Sequence, residues 1–116
     1  MLLNLSNHPT QRWTDLQRHT AQQHYGTTED LPFPRIPPEA TEAELNRLVD
    51  DYFQRIRERN PSAVHLMGEM TFTYRLVHRL KTELGLPVVA STTERTVEER
   101  DGKKIVQFQF VQFRSY

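Results

Sequence analysis

Short apolar runs alternate with helix-like segments along this chain, and the connections between them are brief. Leu2–Ser6, Ala63–Met67 and Pro87–Ala90 have the length and apolar content expected of strands in a sheet. A helical pattern follows the first two within a few residues. Because parallel strands need a crossover between them, and a helix is the usual one, this alternation predicts an α/β domain with parallel early strands.

Apolar residues at helical spacing predict three helices, over residues 13–25, 41–59 and 71–84. The clearest start is Thr41-Glu-Ala-Glu44, a capping box in which the threonine oxygen and the Glu44 carboxylate satisfy each other's backbone N–H groups. Gly85 follows the third pattern and is typical of a helix C-terminus.

Two further extended segments complete the predicted sheet. Leu31–Pro34 contains two prolines, which cannot donate ladder hydrogen bonds, so we expect an edge strand or an extended arm there. Asp101-Gly102 is a favoured hairpin turn between Thr96–Arg100 and Lys103–Phe113. The order β-α-β-α-β-α-β-β predicts a single three-layer α/β domain over residues 1–116, with a mostly parallel sheet and a C-terminal antiparallel hairpin strand.

Composition excludes several classes of function. The 116 residues include 15 basic and 15 acidic side chains, and this balance argues against a broad surface for duplex nucleic acid. Cysteine is absent, which removes disulfides, zinc fingers and thiol catalysis. The apolar start Met1–Leu5 is too short for a signal-peptide core, and no segment resembles a membrane span. We therefore expect a cytoplasmic protein with no membrane partner.

Three polar segments follow the predicted strands. Open α/β sheets bind ligands beyond the carboxyl ends of their strands, so we expect these segments to meet at one edge of the sheet and form a site. The segments are Ser6-Asn7-His8, Gly68-Glu69-Met70-Thr71 and Ser91-Thr92-Thr93-Glu94-Arg95.

Each segment also has a purely structural interpretation. Glu69 follows a strand-to-helix glycine, where a carboxylate complements the positive helix start by ~0.3–1 kcal/mol, and this is the more common role of such an acid. The hydroxyls and arginine of Ser91–Arg95 offer donors for phosphate or ribose. They fit equally well a solvated edge segment in which Glu94 or Arg95 forms a surface ion pair.

The histidines predict no metal site. None of the five has a partner at metal-ligand spacing, and no cysteine is present to complete a zinc site. His65 lies inside a predicted buried strand, so we expect a neutral imidazole hydrogen-bonded to a neighbour. Only His8 lies where a general acid or base is useful. Walker, Gly-x-Gly-x-x-Gly and Gly-x-Ser-x-Gly motifs are missing, so the sequence indicates no nucleotide cofactor.

Four stretches together resemble the small stand-alone CRISPR-associated proteins of type III systems that are predicted to be ring nucleases. The stretches are Asn4-Leu-Ser-Asn-His-Pro9, Gly68-Glu69, Ser91-Thr-Thr-Glu-Arg95 and Phe110-Val-Gln-Phe-Arg-Ser-Tyr116. The resemblance runs over most of the chain and is clearest after Val64. Those proteins are compact relatives of the CRISPR-associated Rossmann-fold (CARF) domains, which sense cyclic oligoadenylates, so the resemblance implies a Rossmann-like domain.

The resemblance further implies a homodimer that binds cyclic tetra- or hexa-adenylate and cleaves it without a metal or other cofactor. Each ribose 2′-hydroxyl attacks its neighbouring phosphorus and leaves a 2′,3′-cyclic phosphate. The enzyme then has to impose in-line geometry and stabilise charge on the phosphate. A non-catalytic nucleotide-binding or protein-interaction module of the same fold is the alternative.

Carried onto this chain, the implied catalytic residues are Glu69 and Arg95. Arg95 binds the phosphate, while Glu69 orients the 2′-hydroxyl, protonates the leaving 5′-oxygen if burial raises its pKa, or reads the adenine amino group. Arg95 is the only cation of the three segments, so the implied dimer is needed to double the positive charge. The implied ligand-binding set is Ser6, Asn7, His8, Gly68, Met70, Thr71, Ser91, Thr92 and Thr93.

Overall fold

Five strands form one mixed sheet in the computed structural model, which describes residues 1–116. The sheet order is β2-β1-β3-β4-β5, and β4 and β5 pair antiparallel while every other pair is parallel. The predicted mixed sheet, with parallel early strands and an antiparallel last strand, is confirmed. The strands are β1 (Leu2–Ser6), β2 (Thr28–Asp30), β3 (Ala63–Met67), β4 (Val88–Arg100) and β5 (Lys103–Ser115).

The three predicted helices are also present: α1 (Asp15–Tyr25), α2 (Glu42–Arg59) and α3 (Met70–Leu84). A single 3-10 turn, Thr10–Arg12, precedes α1. Both hydrogen bonds of the predicted capping box form at Thr41, and Gly85 ends α3 with a left-handed φ of 61°. None of the helices combines the length and the apolar character that crossing a bilayer requires.

Alternation along the central strands divides the core into two clusters. Leu3 and Leu5 of β1 and Val64 and Leu66 of β3 point toward α2 and α3, where they join the larger cluster with Phe72. The intervening positions point the other way, and the smaller cluster there contains Leu2, Trp13, Ala21 and Ala63. Asn4, Ser6 and His65 lie on this second side and are buried as well. The side that faces α1 therefore combines a small apolar core with buried polar groups.

The edge strand differs from its predicted position. β2 is Thr28–Asp30, three residues before the predicted Leu31–Pro34, and it pairs with β1 from Leu2 to Asn4. Pairing beyond that point would place proline nitrogens where ladder donors are required. Leu31 makes one more backbone hydrogen bond to Asn4, and the chain then leaves the sheet.

The sequence pattern placed Ser91–Arg95 beyond the end of a strand, but the segment lies within one. β4 runs without interruption from Val88 to Arg100 and pairs with β3 only at Val88 and Val89. From there on its partner is β5 alone. The β-branched residues of this segment favour extended backbone, and the Asp101-Gly102 turn returns the chain along its full length.

A bulge in the ribbon sets which aromatic rings face α1. The β4–β5 register shifts between Thr92 and Thr93, so that Val111 of β5 has no partner. Phe110 and Phe113 consequently share a face although they are three residues apart, with ring centroids separated by 4.9 Å. Strict alternation would have placed them on opposite faces.

Gly68, between β3 and α3, is explained by the packing of a neighbouring ring. A Cβ atom at this position would lie 2.1 Å from Cζ of Phe33. Phe33 itself packs edge-on against Phe72, with ring centroids 5.3 Å apart. Close approach of an aromatic ring, and not a left-handed backbone, therefore requires glycine here.

We predict that Gly68→Ala lowers the free energy of unfolding by about 1–3 kcal/mol, because the added methyl group displaces the Phe33 ring. Urea unfolding monitored by circular dichroism measures this change. In a Phe33→Leu background the same substitution should cost markedly less, since the obstructing ring atoms are gone. Equal costs in the two backgrounds would contradict this account of Gly68.

Candidate functional site

A polar cleft of about 400 Å³ opens on the side of the sheet that faces α1. Its walls come from the segment after β1, the start of α1, the carboxyl half of β3 and the facing residues of β4 and β5. No carboxylate lines it. The ionisable side chains in its lining are one arginine and two histidines. The lining residues are His8, Arg12, Trp13, Thr14, Gln17, His65, Met67, Ser91, Thr93, Phe108 and Phe110.

The loop after β1 is held in place through the carbonyl oxygen of His8. This oxygen accepts hydrogen bonds from Asn4 Nδ2 at 2.9 Å and from Trp13 Nε1 at 3.0 Å. The loop backbone is thus fixed by side chains of β1 and of the segment before α1. The imidazole of His8 remains exposed at the mouth of the cleft.

A chain of hydrogen bonds links four strands beneath the cleft. Asn4 Nδ2 donates to Asp30 Oδ1 of β2 at 2.9 Å, and Asn4 Oδ1 lies 2.8 Å from His65 Nδ1 on β3. His65 Nε2 lies 2.6 Å from the hydroxyl oxygen of Ser91 on β4. Gln17 of α1 donates from Nε2 to the same oxygen at 3.1 Å.

The groups at one end of this chain decide which atoms along it donate and which accept. The carboxylate of Asp30 and the carbonyl of His8 can only accept hydrogen bonds. The Asn4 side-chain atom that contacts both must therefore be the amide nitrogen. Asn4 Oδ1 is then an acceptor, which requires the proton of neutral His65 to be on Nδ1. Nε2 carries a lone pair, and the Ser91 hydroxyl donates to it.

His65 is neutral at physiological pH. Burial, together with a smaller effect of the charge of nearby His8, lowers the pKa of its imidazole to about 4. The expectation of a neutral, hydrogen-bonded histidine inside a buried strand is confirmed, although its particular partners were not anticipated.

The structure brings together only part of the predicted site. His8, Ser91 and Thr93 line the cleft, and Ser6 lies directly beneath the His8 loop. Asn7 lines a neighbouring hollow beside Asp30. Thr92 faces the opposite side of the ribbon, where its hydroxyl donates to the carbonyl of Gln112.

The Gly68–Thr71 segment turns toward the other side of the sheet. Gly68 and Met70 line a separate, more apolar hollow with Tyr74 and Tyr116. Only Met67, the last residue of β3, lines both this hollow and the cleft. The predicted convergence is therefore incomplete, because Gly68, Met70 and Thr71 do not line the cleft.

Glu69 caps the start of α3. Its carboxylate accepts from the backbone N–H of Phe72 at 2.7 Å and from the hydroxyl of Thr71 at 2.5 Å. The Thr71 hydroxyl and the Phe72 N–H lower the pKa of this exposed carboxyl group. A general acid would need a raised pKa, and that condition is not met. The helix start is satisfied by the chain itself, which agrees with the structural interpretation of Glu69.

Arg95 lies on the ribbon, on the same face as Ser91 and Thr93. It is exposed and stands opposite Phe108 in the β4–β5 register. Neither Arg95 nor Arg12 makes an ion pair. Two free guanidinium groups thus lie in or near the cleft, although Arg95 is not part of its lining.

Eight of the eleven lining residues were not predicted as site residues, among them Arg12, Gln17 and Phe108. A polar Asn4 in an otherwise apolar strand and Gln17 four residues from both Trp13 and Ala21 were usable signals. A buried polar side chain needs a partner, so each of them indicated a polar network on the α1 side.

The fold and the cleft define an α/β protein with a carboxylate-free, histidine-containing site on one side of a mixed sheet. Residues 1–114 match the model of the Uncharacterized protein MJ1673 family, and the chain belongs to this family. The search of curated proteins found no match.

We predict that Glu69→Ala lowers the free energy of unfolding by roughly 0.5–1 kcal/mol through loss of the cap on α3. Glu69→Asp should retain most of the stability, because a shorter carboxylate still caps well. Thermal or urea unfolding measures both. Equal stability of Glu69→Ala and the wild type would contradict the capping role.

The lowered pKa of His65 predicts a pH-dependent stability. Between about pH 6.5 and 4 the unfolded chain binds a proton at this imidazole and the folded protein does not. The contribution of His65 to the free energy of unfolding is therefore complete above pH 6.5. It is lost as the pH falls toward 4, and it amounts to on the order of 3 kcal/mol in total. Urea unfolding across this range should show the loss in the wild type and in His24→Gln, an exposed control. In His65→Gln the loss should be much smaller, and an unchanged pH dependence would contradict the assignment.

Proposed function

We propose that this protein is a metal-independent ring nuclease of the cytoplasm that binds and cleaves a cyclic oligoadenylate, with cyclic tetra-adenylate as the first candidate, and so ends type III CRISPR signalling. The observation that carries the proposal is the cleft itself. It offers cationic, hydroxyl and aromatic side chains and no carboxylate, a combination that suits the phosphates, riboses and bases of a nucleotide ring.

Arg12 and Arg95 are the proposed phosphate ligands. Each guanidinium group is exposed and free of an acidic partner, so binding a phosphate breaks no existing ion pair. Phe108 lies opposite Arg95, is 66% exposed and lines the cleft, which suits it to stack on a base. Ser91 and Thr93 supply hydroxyls for ribose or phosphate oxygens.

The proposed reaction needs no metal. The ribose 2′-hydroxyl attacks the adjacent phosphorus, the bond to the 5′-oxygen breaks, and the products end in a 2′,3′-cyclic phosphate and a 5′-hydroxyl. The described residues include no group of acidic or histidine side chains that could hold a metal ion. Holding the ring so that the attacking and leaving oxygens are in line is the main contribution left to the protein.

We further propose a homodimer and a three-layer, Rossmann-like arrangement. A cyclic oligoadenylate carries one negative charge per nucleotide, and one protomer offers only Arg12 and Arg95 beside His8. A two-fold dimer would double these cations around a symmetric ring. The layered arrangement draws support from the two core clusters, one with α2 and α3 and the other with α1.

Incubation with cyclic tetra-adenylate in EDTA tests the proposal. We expect shorter linear products with 2′,3′-cyclic phosphate ends, resolved by chromatography and mass spectrometry. The ring with 2′-O-methyl riboses is the matched control, because it should bind and resist cleavage. A thermal shift without products would instead favour a binding module. No product with any cyclic oligoadenylate would overturn the proposed activity.

We predict that Arg12→Ala and Arg95→Ala each weaken cyclic tetra-adenylate binding by about 1.5–3 kcal/mol, since each removes a charge-assisted contact to phosphate. Titration calorimetry at fixed salt measures the loss. Arg47→Ala, on the exposed part of α2, is the control and should bind as the wild type does. An unchanged affinity in either test variant would remove that arginine from the site.

A further inference from the structure

We propose that Ser91 and His65 form a proton relay that accepts the proton of the attacking ribose hydroxyl, and that Asn4 is the positioning residue that sets the direction of the relay. This inference rests on the proposed function, because it requires a ligand with a hydroxyl beside a phosphorus atom. It assigns chemistry to the buried network, which phosphate binding alone leaves without a role.

The hydrogen-bond directions leave Ser91 with one open position. Its hydroxyl hydrogen is directed to His65 Nε2, and one lone pair of its oxygen accepts from Gln17 Nε2. A hydroxyl oxygen accepts two hydrogen bonds, so a second lone pair remains. No protein group donates to that lone pair, and Ser91 is half-buried and lines the cleft, so a donor on a bound ligand can reach it. A ribose 2′-hydroxyl is such a donor.

The proposed step moves two protons along one line. The 2′-hydroxyl passes its proton to Ser91 Oγ while Ser91 passes its own to His65 Nε2. The 2′-oxygen forms its bond to phosphorus as the bond to the 5′-oxygen breaks. The 5′-oxygen takes a proton from water, and the imidazolium of His65 then returns its proton to solvent through Ser91, so atoms and charge balance.

The charges around His65 decide whether it can act as a base. The charge of His8, on the loop after β1, opposes protonation of His65, and Arg12 lines the same cleft. Asp30, behind Asn4, is the acidic group connected to it. A bound phosphodiester offsets the charge of Arg12 and adds negative charge beside the imidazole, so the ligand itself makes His65 a better proton acceptor.

Asn4 keeps the acceptor nitrogen on the side of Ser91. Its oxygen receives the Nδ1 proton of His65, and its NH₂ group is held by Asp30 and by the carbonyl of His8. A carboxamide turned the other way would face His65 with its NH₂ group and would favour a proton on Nε2. Nε2 would then donate to Ser91, and the relay would lose its acceptor.

Single-turnover cleavage of cyclic tetra-adenylate by site variants tests the relay. Ser91→Ala and His65→Gln should each slow cleavage ~100-fold or more, the usual contribution of a positioned base, while ligand affinity changes less than tenfold. The double variant should be little slower than either single one, because the two residues act as a unit. Thr82→Ala removes an exposed hydroxyl on α3, on the other side of the sheet from the cleft, and its rate should stay within a few-fold of the wild type.

Two further measurements, on Ser91→Thr and by nitrogen NMR of His65, distinguish loss of the relay from a loss of folding. The threonine variant retains a hydroxyl and should recover much of the rate that Ser91→Ala loses. Without ligand, the imidazole should show a proton on Nδ1 in the wild type, and this signature should be lost or mixed in Asn4→Leu, which removes the acceptor of that proton.

The outcomes separate this inference from the proposed function. No cleavage by the wild type would remove both. Cleavage that persists at the wild-type rate in Ser91→Ala, or a wild-type imidazole protonated on Nε2, would overturn the relay and leave the ring nuclease in place. Slow cleavage in Ser91→Ala with retained affinity and an Nδ1 proton in the wild type would support both.

Discussion

The side chain of Asn4 is the contact on which the site depends. Its NH₂ group donates to Asp30 and to the carbonyl of His8, and its oxygen accepts from Ser6 and His65. All four hydrogen-bonding positions of the carboxamide are used, so a buried polar group that would otherwise be costly becomes a specific connection between β1, β2, β3 and the loop. Removing it would leave several buried partners unsatisfied at once.

The same network explains why the cleft lies on the side of α1. On the other side, α2 and α3 cover the sheet with a continuous apolar core. On its side, α1 and the segment before it cover the sheet less completely, through Ala21 and Trp13, and Gln17 of α1 reaches Ser91. The unequal covering of the two sides therefore determines where a polar ligand can approach the strands.

Much of the fold could be predicted from the sequence, because it depends on local signals. The capping box at Thr41, the glycine after α3 and the Asp101-Gly102 turn each act over a few residues, and all three are found where expected. The site depends on register, which local signals do not fix. Ser91 meets His65 because β4 continues past the end of its pairing with β3, and no pattern within Ser91–Arg95 distinguishes a strand from a loop at that point. Glu69 shows the converse, since its structural role followed from its place at a helix start.

The two walls of the cleft are anchored very differently. His65 lies on a strand in the middle of the sheet, and Ser91, two residues past the last β3–β4 pair, is hydrogen-bonded to it and to Gln17. Phe108 instead belongs to a two-stranded ribbon that extends about 25 Å past the bulge without a third strand beside it. Isolated two-stranded ribbons are only marginally stable in water, so this wall is expected to bend at low cost while the opposite wall stays fixed. Rings of different circumference could then be gripped by one protein, with the reacting bond kept at the rigid side and the size difference absorbed by the ribbon.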